Sequence, residues 1–167
     1  MKKIASLIAM AAMVFGVGTA TAADTDGKFG VGAHSSLTDG GVSGLGVNYW
    51  IGDIKAGLVL DIQMVMPDEG DAVNNISAAV QGLYAVARSK DANLNTGLRI
   101  NLNDLSGPEG TDMALGIEIP VEAEYWVTEH VTVTAHVGLA VEMPEGAMLI
   151  SIGAPGFAGG AGFNFFF

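Results

Sequence analysis

From Gly27 onward, apolar and polar side chains alternate with a period of two, in runs of about ten residues divided by Gly, Pro, Asp and Ser. The run from Asn93 to Asn103 is the clearest, with Leu94, Leu98, Ile100 and Leu102 on one face. Successive Cβ atoms of a strand point to opposite sides, so this period predicts β-strands with one apolar face. The same pattern predicts eight strands, near residues 27 to 36, 42 to 50, 54 to 66, 75 to 87, 92 to 103, 113 to 125, 131 to 143 and 157 to 167. Three connections are tight: Ile51-Gly52-Asp53, Arg88-Ser89-Lys90-Asp91 and Val127-Thr128-Glu129-His130. Those at Pro67 to Asp71, Ser106 to Gly110 and Pro144 to Gly146 are longer, whereas the one at Thr38 to Gly41 is short. Short turns at one end and long loops at the other fit a closed up-and-down barrel. Pro120 falls inside the sixth strand, where it cannot donate to a ladder, and a bulge or bend is expected there.

The two registers differ in charge. One carries Phe29, Val31, Leu45, Val47, Tyr49, Leu58, Leu60, Ile62, Val80, Tyr84, Ile117, Ile119, Val121, Val133, Val137, Leu139, Phe163 and Phe165, with no charge among them. The other holds Lys28, Lys55, Asp61, Arg99, Glu118, Glu122, Glu124 and Glu142 among many Gly and Ala residues. Lysine or arginine on a lipid-facing wall costs roughly 2–4 kcal/mol at the bilayer midplane, so the uncharged register suits lipid. The glycine-rich charged register suits a cramped interior. Strand order also gathers Phe29, Tyr49, Trp50, Tyr84, Tyr125, Trp126 and Phe167 at the tight-turn end. Rings with a polar edge favour a membrane interface, and this set is expected to form a periplasmic girdle. Met64, Met66, Met113 and Met143 at the opposite rim read as apolar filler.

Composition narrows the setting. Lys2 and Lys3, an apolar run from Ile4 to Val17, and Ala20-Thr21-Ala22 form a secretory signal peptide, with residues 23 to 167 as the expected mature domain. That run is short for a transmembrane helix, so membrane residence is expected through strands. There is no cysteine, hence no disulfide and no thiolate metal site. Without Lys2 and Lys3, five basic residues face eighteen acidic ones, a formal charge of −13. That balance excludes nucleic acid as a partner. Charged residues make up 15% of the chain, whereas a soluble surface carries about 25–35%.

Pairing across the loop at 104 to 112 puts Arg99 beside Glu118, and the turn at 127 to 130 brings Glu122 near Thr134 and His136. With Lys55, Asp61 and Glu124, these residues are expected to form an interior polar network that plugs the lumen. A narrow solute path is the alternative. The long loops carry Asp39, Asp68, Glu69, Asp71, Asp104, Glu109, Asp112 and Glu145 without Lys or Arg. Their carboxylates suit divalent cations, although solvation alone explains them. No GxSxG, HExxH, Walker loop or complete GxGxxG occurs, and no catalytic residue, metal or cofactor is expected. His34 beside Ser35 and Ser36 is the sole candidate for enzymatic chemistry, yet neighbours on a strand face opposite ways.

The terminal Gly162-Phe163-Asn164-Phe165-Phe166-Phe167, with aromatics at alternate positions 163, 165 and 167, is similar to the signal read by the outer-membrane barrel assembly machinery. With the export segment and the strand pattern, the chain resembles the small eight-stranded OmpA, OmpX and OmpW-like superfamily. The resemblance implies a monomeric all-β transmembrane barrel in a Gram-negative outer membrane, among lipid and lipopolysaccharide. It implies an envelope or surface-interaction role, with a porin-like channel or a lipid A-modifying enzyme as alternatives. The separate wall-binding domain of OmpA itself is not found in this sequence.

Overall fold

The structure, a computed structural model, describes residues 25–36, 41–65, 73–103, 114–143, 149–152 and 158–167. It is an all-β closed antiparallel barrel. The strands are β1 (Phe29–Ser36), β2 (Gly44–Ile51), β3 (Ile54–Val65), β4 (Val73–Arg88), β5 (Ala92–Asn103), β6 (Ala114–Trp126), β7 (Val131–Met143), β8 (Leu149–Ile152) and β9 (Ala158–Phe166). Each pairs with the next as far as β7, and β9 closes the ring between β7 and β1. A path of paired residues from Val133 runs through Phe163, Ala33, Leu45, Leu60, Ala78, Leu102 and Leu115 and re-enters β7 at Met143, ten residues further on. A stagger of ten over eight staves tilts the strands by about 40° and leaves an interior that side chains can fill.

All eight expected strands are present, and a ninth short one is added. β8 and β9 lie end to end along β7, with Ile152 opposite Leu139 and Ala158 opposite Gly138. They form one stave split by residues 153–157. The stretch after Pro144, read from sequence as loop, therefore returns to the wall at Leu149. The expected long loops at 67–71, 106–110 and 144–146 lie outside the described residues, as do Met66 and Met113.

Pro120 corrects an expectation. No bulge forms there: β5 and β6 pair as Thr96 with Val121 and then Arg99 with Glu118, in one unchanged register. Two rows of that ladder lapse instead, so the missing N–H has no partner to disappoint. Thr96 Oγ1 donates to the Pro120 carbonyl at 2.9 Å, replacing one ladder bond. Gly97 stands opposite, and a Cβ there would meet the Gly82 carbonyl oxygen at 2.0 Å. Glycine there lets β5 close on β4, and the glycine that closes on the proline is its β7 partner Gly138, where a Cβ would meet the Pro120 Cα at 3.0 Å. The bulge is on β4, where the register shifts between Ala85 and Ala87 and carries Val86 outward.

The faces separate as the alternation predicts. Leu45, Ile62, Val80, Tyr84, Ile119 and Phe163 are each at least 49% exposed, on the outside. The buried polar set faces inward, with Lys55, Arg99, Glu118, Glu122, Glu124 and His136 each no more than 3% exposed. Among the described residues no charged side chain lies on the outer face of the strands. Globular proteins in water show the opposite arrangement.

The filled lumen as candidate functional site

The lumen is closed at its tight-turn end by an apolar layer. Trp50, Leu83 and Phe166 are fully buried, and Trp126 and Ala85 nearly so. Trp126 and Phe166 pack at 5.1 Å between ring centroids. Here the structure corrects the expected girdle. Phe29, Tyr49, Tyr84 and Tyr125 are 43–53% exposed on the outside, but Trp50 and Trp126 point into the lumen. Strand geometry requires this, because Tyr49-Trp50 and Tyr125-Trp126 are adjacent pairs whose members face opposite ways. Of the terminal aromatics, Phe163, Phe165 and Phe167 are exposed, while Phe166 belongs to the seal.

Above the seal, Lys55 on β3 reaches across the lumen to β6. Its ammonium pairs with Glu122 and, at 3.3 Å, with Glu124. It also lies 5.6 Å from the centre of the Trp50 ring, whose other neighbour is the Arg88 guanidinium at 5.0 Å. Amides complete the carboxylates: Asn95 Nδ2 donates to Glu122 at 3.0 Å and Asn93 Nδ2 to Glu124 at 3.4 Å. Thr132 Oγ1 donates to Glu124 at 3.3 Å. A fully buried charge survives only when paired and hydrogen-bonded, and each carboxylate here has both kinds of partner.

Arg99 organises the next layer. The ladder sets Gln81 on one side of it and Glu118 on the other. Its Nε and Nη2 donate to Gln81 Oε1 at 3.0 and 2.7 Å, and Nη1 donates to Glu118 at 3.2 Å. The same Nη1 lies 2.9 Å from His136 Nε2, which must accept because a guanidinium only donates. His34 stacks on His136 at 5.0 Å. A chain of amides joins the layers: Gln81 Nε2 donates to Asn48 at 3.1 Å, and Asn48 Nδ2 to Asn164 at 2.8 Å. Higher still, Val42, Val59 and Ala79 form a second apolar cluster. The void left around His34, Asn48, Lys55 and Glu122 is about 10 Å³, room for one water centre at most.

Six of the seven residues predicted for the interior network therefore meet. Asp61 does not: it is partly exposed and accepts a hydrogen bond from Gln63 at 2.9 Å instead. The sequence reading missed Asn48, Gln81, Asn93, Asn95, Thr132 and Asn164 as network members. Each lies on the inward register, so alternation could have assigned them. Of the His34, Ser35 and Ser36 set considered for catalysis, His34 is turned into the lumen and Ser35 is exposed on the opposite face. His130 holds the turn end, its Nδ1 donating to the Phe166 carbonyl at 2.9 Å. Among the described residues no cluster of three His, Asp or Glu side chains could hold a metal ion. Compared with family models, curated proteins and solved structures, the chain has no match.

Proposed function

We propose that this chain is an integral outer-membrane barrel with a structural or surface-interaction role in the envelope, its lumen plugged rather than conducting. The observation that carries the reading is the inverted wall: an apolar, uncharged exterior around an interior of paired charges. Lipid is the solvent in which that arrangement is favourable. The exposed ring of Phe29, Tyr49, Tyr84 and Tyr125 at the tight-turn end supports it as the periplasmic interface. On this reading residues 1 to 22 direct export, the terminal aromatics engage the assembly machinery, and lipopolysaccharide surrounds the loop end. The role is non-enzymatic.

A plugged lumen has an electrical consequence. An ion crossing it would have to break the Lys55 and Arg99 pairs and also pass the Trp50, Trp126 and Phe166 layer. Purified mature protein in planar bilayers is expected to give no steady single-channel current. Sustained current from the folded, heat-modifiable form would overturn the plug and favour the narrow channel.

A further inference from the structure

Among the described residues, the tight-turn end carries a concavity of about 370 Å³ between two turns, lined by Lys28, Lys90, Asp91, Trp126, Thr128 and Glu129, with Val127 at its edge. That volume lies in the range of small-molecule sites. The chemistry of its lining is unlike the rest of the barrel. Of the five bases after residue 22, Lys55 and Arg99 are buried in the plug and Arg88 pairs with Asp53 at 3.3 Å. The remaining two, Lys28 and Lys90, both line this concavity.

Thr128 adds a further donor there. Thr128 Oγ1 accepts from the backbone N–H groups of His130 and Val131 at 3.2 and 3.0 Å, which leaves its own hydrogen to donate. The Lys28 ammonium lies 4.7 Å from the centre of the Trp126 ring and donates to the Glu129 carbonyl at 3.3 Å, so it is held in place. Beside these donors stand the exposed carboxylates of Asp91 and Glu129. Two ammoniums and a hydroxyl call for an anion rich in acceptor oxygens. The two carboxylates in the same lining suit a cation within the same ligand.

We propose that this concavity binds a phosphoethanolamine group, with its phosphate at Lys28, Lys90 and Thr128 and its ammonium at Asp91 and Glu129. The inference rests on the membrane reading, which puts the turn end at the periplasmic interface. Tyr125 and Val127 lie on the outer face beside it, where the acyl chains of an inner-leaflet phospholipid would run.

Native mass spectrometry of the mature protein tests this, with phosphatidylethanolamine, phosphatidylcholine and phosphatidylglycerol offered at equal concentration in detergent. Retention of phosphatidylethanolamine is expected to exceed both others, since choline lacks N–H donors and glycerol lacks the cation. Losing a charge-assisted contact in Lys90→Gln is expected to lower that retention about tenfold, and Lys28→Gln/Lys90→Gln to abolish the preference. A parallel titration with soluble glycerophosphoethanolamine separates the sources: weak binding there assigns the site to lipid, and equal binding assigns it to the free headgroup. Equal retention of all three lipids, or an undiminished preference in both variants, would overturn the proposal. Heat-modifiable mobility of the same samples reports the membrane barrel independently, so failure of the site and failure of that reading are distinguishable.

Discussion

Replacing Lys55 with methionine is expected to lower the unfolding free energy by about 3–5 kcal/mol, because it strands the Glu122 and Glu124 carboxylates in a closed interior. The cost comes from the unpaired anions rather than from any special strength of the pair, since burying ions is itself expensive. The triple variant Lys55→Met/Glu122→Gln/Glu124→Gln removes the charges together and is expected to recover most of the loss. Urea titration in lipid vesicles, followed by tryptophan fluorescence, compares the three proteins. A Lys55→Met protein as stable as the parent would mean that the network is ornamental. A triple variant no better than the single would mean that the lysine stem, not its charge, matters.

The second large effect is expected at Phe166. Its ring fills the base of the lumen against Trp126 and lies against the Gly30 backbone, within 2.7 Å of where a Cβ would be. Truncation to alanine should cost about 3–5 kcal/mol, the range for a buried phenylalanine. Phe167→Ala removes a ring that is 69% exposed and should cost about 1 kcal/mol or less. Refolding from urea into vesicles keeps the comparison free of the assembly machinery. Phe166→Ala should also shift Trp126 emission to the red as water reaches the seal. Equal effects at the two positions would contradict the inward assignment of Phe166.

Much of this architecture is legible in the sequence because an antiparallel barrel is built from local alternation and short turns. The Asn93 to Asn103 run and the Arg99 to Glu118 pairing follow from period and turn position alone. The partner of Lys55 does not. Lys55 is on β3 and its carboxylates are on β6, three staves away, so the contact exists only once the sheet has closed. The split of the last stave is equally non-local, since β8 and β9 are set by where β7 already runs. Trp50 and Trp126 are a different case. Alternation places them inside, but their amphipathic rings fit an interface so well that chemistry pointed the other way.

Pro120 shows how context alters a sound local rule. A proline inside a closed sheet must lose a ladder bond. The Thr96 hydroxyl takes up the freed carbonyl without a change of register, and no pattern within β6 itself reveals the compensation.

On the proposed reading the uncharged outer register meets lipid. The chain has no cysteine, so single cysteines at Val80, Ile119 and Val137, which lie near mid-wall, can each carry one fluorophore in an otherwise unreactive protein. In vesicles whose acyl chains are brominated, all three are expected to be strongly quenched, while probes at Ser89 and Thr128 in the turns are not. Unquenched probes at all three mid-wall positions would contradict the account, because the apolar coat would then face something other than a bilayer.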